Sequence, residues 1–117
     1  MDSNQFNPLS NPIPEDKKEL YEKVIKAIKT VYDPEIPVDI WELGLVYDLQ
    51  ITQENDVVVL MTLTAPNCPA AGNLPEEVEN AIKSIPDIKD AKVFITFDPP
   101  WDKSRMSDLA RFELGLL

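Results

Sequence analysis

The apolar residues of this chain recur at two different periods, and the period changes at prolines. From Glu15 to Val31, the residues Leu20, Val24, Ala27, Ile28 and Val31 fall at steps of three and four, which gathers them on one face of a helix. Pro14 suits a first helical turn, and Glu15 and Asp16 favour the positive end of the helix dipole. The helix must end at Asp33, because a residue before proline is pushed out of the α region. Asp33-Pro34-Glu35-Ile36-Pro37 then reads as a stiff extended loop.

Beyond that loop the period drops to two. Leu45, Tyr47, Leu49 and Ile51 alternate with Val46, Asp48, Gln50 and Thr52, as in a half-buried strand, and a second strand runs from Val57 to Thr64. The short polar stretch between them contains Asn55-Asp56 and predicts an antiparallel hairpin. Leu74, Val78, Ala81, Ile82 and Ile85 restore the helical period until Pro86, and Ala91, Val93, Ile95 and Phe97 alternate as a third strand. Asp98-Pro99-Pro100-Trp101 stops that strand, since proline cannot donate to a ladder. A last helix is expected from about Ser107 to Leu114, with Ser107 as N-cap and Gly115 as C-cap. The order helix, hairpin, helix, strand, helix describes a two-layer α+β domain with a small mixed three-stranded sheet. The helical crossover between the second and third strands makes that pair parallel.

At 117 residues the chain has the length of one domain, and its 44% hydrophobic content supports a modest core. The domain is expected to span 15–117. Residues 1–14 are rich in Asn, Pro and Ser, bury too little to offset their ordering entropy, and read as a mobile tail. They lack the basic and apolar regions of a secretory signal, and no apolar run reaches the ~18 residues of a membrane span, so a cytoplasmic setting is expected. The net charge of −10 argues against a nucleic-acid partner. The charge is concentrated: no Lys or Arg lies between Thr30 and Ile82, a segment that holds ten acids. That surface is either solvated for solubility or meant for a cation or a basic partner, and Asp33 and Glu35 are the pair for which the second reading is kept.

The chain contains no histidine and one cysteine, Cys68. Imidazole is thereby removed from every triad, relay and zinc site. Cys68 lies in Ala65-Pro66-Asn67-Cys68-Pro69, after a strand and before a helix. A helix N-terminus lowers a thiol's pKa and favours the thiolate, the form that attacks and binds metal, while the nearby acids push the other way. Cys68 is therefore either a small buried hydrophobe or a reactive thiol in a backbone stiffened by two prolines. One thiolate cannot hold an iron-sulfur cluster, which takes four ligands, so any cluster would be shared with a second chain, a partner or carboxylates such as Asp33 and Glu35. Trp101 either anchors a partner or plugs the domain edge against the last helix. Thr62 and Thr64 are ordinary strand residues whose common face leads towards Cys68. Thr64, Asn67 and Trp101 are the candidates for partner contact.

Five short motifs occur in one order: Asp33-Pro34-Glu35-Ile36-Pro37-Val38-Asp39-Ile40, Leu43-Gly44-Leu45-Val46-Tyr47, Thr62-Leu63-Thr64 leading to Cys68-Pro69, Asp98-Pro99-Pro100-Trp101, and Met106-Ser107. Together they resemble the SufT/PaaD-like family of metal-sulfur cluster biosynthesis proteins, over about residues 15–117. The resemblance implies a domain of the iron-sulfur cluster assembly type and an accessory, non-enzymatic role in maturing iron-sulfur proteins. It also implies a transient iron-sulfur cluster or iron as cargo, with the family's reactive cysteine falling on Cys68 and its acidic loop on Asp33 and Glu35. Implied partners are assembly proteins and apo-protein clients, and a homodimer stays open. Asp39 stands where the family often has Asn. The phenylacetate-degradation branch carries further cysteines that this chain lacks, so the general SufT-like branch fits better. The alternative function is a metal-free adaptor that docks apo-proteins to the assembly machinery.

Overall fold

The computed structural model describes residues 15–33, 36–64 and 73–115. A 3-10 turn at Glu15–Lys17 leads into helix α1, Lys18–Ile28, which buries Leu20, Tyr21, Val24 and Ile28. The helix closes three residues before Val31. Thr30 donates its hydroxyl to Ala27 O, and the last amides bond three residues back, so the final turn tightens while Val31 still enters the core. The stiff loop expected at 33–37 includes Pro34 and Glu35, which lie outside the described residues, and the chain on either side of them reverses direction. An antiparallel bridge joins Tyr32 to Asp39, and the Asp33 carboxylate accepts the Ile36 N–H at 3.0 Å, so a side chain substitutes for the missing turn bond.

Strands β1 (Val46–Ile51) and β2 (Asp56–Met61) form the antiparallel hairpin. Asn55 takes a left-handed φ of 66° at its turn, a conformation that asparagine tolerates. Helix α2 (Leu74–Lys83) carries the chain back to strand β3 (Asp90–Ile95), which pairs parallel with β2 from Asp56↔Asp90 to Met61↔Ile95. The sheet order β1-β2-β3 therefore sets the apolar strand β2 at the centre. The core gathers Val24 and Ile28 from α1, Val78 and Ile82 from α2, and Leu49, Val57, Val59 and Ala91 from the sheet. Val58 and Phe94, on the other face, stay exposed.

Three expectations about the strands need correction. The alternation in β1 breaks between Val46 and Asp48, where the register shifts and Tyr47 bulges, so that Val46 and Tyr47 are both buried. Strand β2 ends at Met61 rather than Thr64, although the Thr62 N–H still reaches Leu45 O at 2.8 Å. Strand β3 ends at Ile95 because the Thr96 hydroxyl bonds both the Asp98 carbonyl and the Asp98 N–H, which turns the chain and leaves Phe97 exposed.

The carboxyl-terminal segment wraps the turn that precedes β1. Gly44 has φ +78°, and a Cβ there would lie 2.2 Å from Arg105 O, so only glycine allows the two backbones to meet. Helix α3, Asp108–Glu113, starts at Ser107, whose hydroxyl oxygen accepts the Ala110 N–H at 3.1 Å. Gly115 follows it with φ +74°. The N-cap is as the sequence predicts, while the C-cap is Leu114 and Gly115 stands one residue beyond it.

Candidate functional site

Asp33 and Thr64, far apart in sequence, meet at one end of the molecule. Asp33 is only 6% exposed, at the reversal after α1, and Thr64 is half-buried beyond the end of β2. The Thr64 hydroxyl donates to Asp33 Oδ2 at 3.4 Å, while Asp33 Oδ1 takes the Ile36 amide. One carboxylate thus ties the acidic loop to the root of the segment that carries Cys68. Cys68, Asn67 and Glu35, all singled out from the sequence, lie outside the described residues. Among the described residues, no group of three or more His, Cys, Asp or Glu side chains is placed to hold a metal ion.

Trp101 belongs to a different part of the surface. Its half-buried ring packs against the core, and its indole N–H donates to Leu43 O at 2.7 Å. Residues that were not singled out fasten the same segment. The Tyr47 hydroxyl donates to Pro99 O at 2.8 Å, and the Arg105 guanidinium lies 4.8 Å from the Tyr47 ring centroid. Burial pushes the Tyr47 phenol above its usual pKa, partly offset by Arg105 and by the Thr62 hydroxyl. Tyr47 read as an ordinary strand residue because the bulge that turns it towards Pro99 has no local signature.

Several acids of the lysine-free segment serve as internal acceptors. Asp39 Oδ2 accepts the Glu42 N–H at 3.1 Å, and Glu79 Oε2 accepts the Val93 N–H at 3.0 Å across the α2–β3 contact. Glu42 accepts the Ser107 hydroxyl and lies 3.4 Å from Lys29 Nζ. Burial pushes the Asp39 carboxyl above its ordinary value, and the neighbouring Glu42 charge adds to this, while the Glu42 and Trp41 amides and Lys29 act in the opposite sense. The acidic segment is therefore partly structural and only partly a solvated face. What the Asp33 end offers chemically is a buried carboxylate and a hydroxyl, hard oxygen donors that orient a loop or attract a cation.

The family model described as "Iron-sulfur cluster assembly protein" matches residues 21–95. An "Fe-S protein maturation auxiliary factor" of Porphyromonas gingivalis is 46% identical over 96 residues, covering 82% of this chain and 91% of that protein. The "Fe-S protein maturation auxiliary factor SufT" of Staphylococcus aureus is 41% identical over 86 residues, covering 74% of this chain and 98% of its own length. Among solved structures, a domain of unknown function, DUF59, from Bacillus anthracis superposes with a TM-score of 0.79 at 35% identity, over 89% of this chain and 100% of that one. The match spans α1 to β3, the elements that bring Asp33 to Thr64, and on that ground this chain belongs to the iron-sulfur cluster assembly protein family.

Proposed function

We propose that this chain is an accessory factor in the maturation of iron-sulfur proteins, with the Cys68 thiolate as a transient ligand while a cluster, or iron, is delivered to an apo-protein. The observation that carries this reading is the Asp33–Thr64 contact, which ties the acidic loop to the root of the Cys68 segment. With no histidine and one cysteine, the chain owns a single thiolate donor. A single thiolate supplies a fraction of the four ligands a cluster needs, so the rest come from a second copy, an assembly protein or the client. Incomplete ligation suits a carrier, because the cargo is held loosely enough to leave. The same shortage of groups leaves no imidazole base for a thiol enzyme, and the role is accessory rather than catalytic. The partners are then assembly proteins and apo-protein clients, in the cytoplasm; no helix among the described residues is long and apolar enough to cross a membrane.

Anaerobic reconstitution of the wild type and of Cys68→Ser, followed by absorbance spectra, iron and sulfide counts and native mass, tests the reading. Uptake of a labile cluster by the wild type and its loss in Cys68→Ser is the expected result, with a dimer mass if two thiolates share it. If neither protein binds iron or sulfide, the carrier reading fails and the metal-free adaptor takes its place.

A further inference from the structure

The largest apolar exposures near the acidic loop cluster at α3. Leu109 is 57% exposed and Phe112, one turn further on, is 71% exposed; Tyr32, which faces the same cleft as Leu109, is 57% exposed. Between them lies a cleft of about 180 Å³ whose lining includes Tyr32, Val38, Leu109 and Ala110 together with Asp39 and Glu113. Among the described residues, none that is basic lines it. Glu42 also borders the cleft and is the one of its three carboxylates that is ion-paired among the described residues, to Lys29.

A lining that joins apolar side chains to a net acidic charge selects by charge. A second copy would bring another −10 towards this face, and like charges on facing surfaces oppose association. A cationic partner gains the opposite sign. We propose that this cleft docks a polypeptide that offers one large apolar side chain flanked by lysine or arginine. The apolar side chain fills the space between Tyr32 and Leu109, Phe112 extends the contact along α3, and the flanking cations meet Asp39 and Glu113. This goes beyond the carrier reading, because it uses a surface that the reading does not need and stands whether or not Cys68 holds a cluster.

The test uses the full chain, labelled with ¹⁵N, titrated with three synthetic peptides: one lysine-rich with a leucine–phenylalanine stripe, one with glutamates in place of the lysines, and one with alanines in place of the stripe. The lysine-rich apolar peptide is expected to shift the amides of Tyr32, Asp39, Leu109, Phe112 and Glu113, and to weaken several-fold between about 50 and about 300 mM salt. Leu109→Ser and Glu113→Lys, both at exposed positions, are each expected to weaken it by about tenfold. Equal binding of the lysine and glutamate peptides, shifts confined to the sheet face around Val58 and Phe94, or unchanged affinity in both variants would overturn the proposal. Concentration-dependent shifts at Leu109 and Phe112 in the chain alone would also overturn it, by showing a second copy in the cleft.

Discussion

Asp39 shows how one side chain can cost stability and still be useful. Burial raises its pKa in the fold, so the protonated form is favoured there more than in the unfolded chain. That stability is fully present below the unfolded value and is lost as pH rises through the raised folded one. Asp39→Asn keeps an oxygen for the Glu42 N–H and removes the charge, so its Tm should exceed that of the wild type at neutral pH. The gain should vanish well below the ordinary aspartate pKa of about 3.9; thermal melts across that range, with equal gain at every pH as the contrary result, would decide. Gly44→Ala should lose at least about 2 kcal/mol in urea unfolding, since the left-handed backbone costs about 1–2 kcal/mol for alanine and the added Cβ meets Arg105 O. The roles of these two residues differ in legibility. Asp39 stood in an acidic run whose purpose the sequence left open, because whether a carboxylate meets solvent or an amide depends on how the chain reverses. Gly44 was part of a recognisable motif, yet the backbone it makes room for lies 61 residues away.

Among the elements, those with strong apolar period and explicit caps were readable and those bent by tertiary contact were not. Ser107 was identified as the N-cap of α3 from its position alone, and it also donates its hydroxyl to Glu42, which pins the helix to the 39–45 turn. Ser107→Ala removes both bonds and should destabilise the protein by about 1–2 kcal/mol. The partner change Glu42→Gln, which keeps an acceptor, should cost clearly less in the same urea titration. The strands β2 and β3 end before their residue pattern does. Leu63 and Phe97 continue the β-type residue pattern, but the last backbone bonds to the neighbouring strands come from the Thr62 N–H to Leu45 O and the Thr96 N–H to Met61 O, and the turn at Asp98 follows directly. The segment that carries Trp101 is fastened to β1 through Tyr47 and to the preceding turn through Leu43.

The whole molecule carries −10, and its described ion pairs are few and largely exposed: Lys23–Asp87, Lys83–Asp90 and Lys29–Glu42. Such pairs contribute about 0–1 kcal/mol each, so unbalanced acidic repulsion outweighs them. Raising salt from about 10 to about 300 mM shortens the screening length and should therefore raise Tm. A fall in Tm would mean that the ion pairs dominate. The same charge opposes phosphate backbones, and the docking proposal uses it to favour basic chains at the cleft beside α3.

The sequence by itself determined the order and type of the elements, the parallel pairing of β2 with β3 and the shortage of thiol and imidazole ligands. The first two follow from the apolar period, which expresses the repeat of the backbone within one segment, and from a crossover that leaves a strand only one direction. The third is a matter of composition. Only the tertiary structure decided that Asp33 meets Thr64, that Tyr47 reaches Pro99 and that Leu109 and Tyr32 face a common cleft. Each of these joins residues at least thirty positions apart, and their meeting depends on how the bulge, the turns and the reversal after α1 add up, a sum that no local pattern encodes.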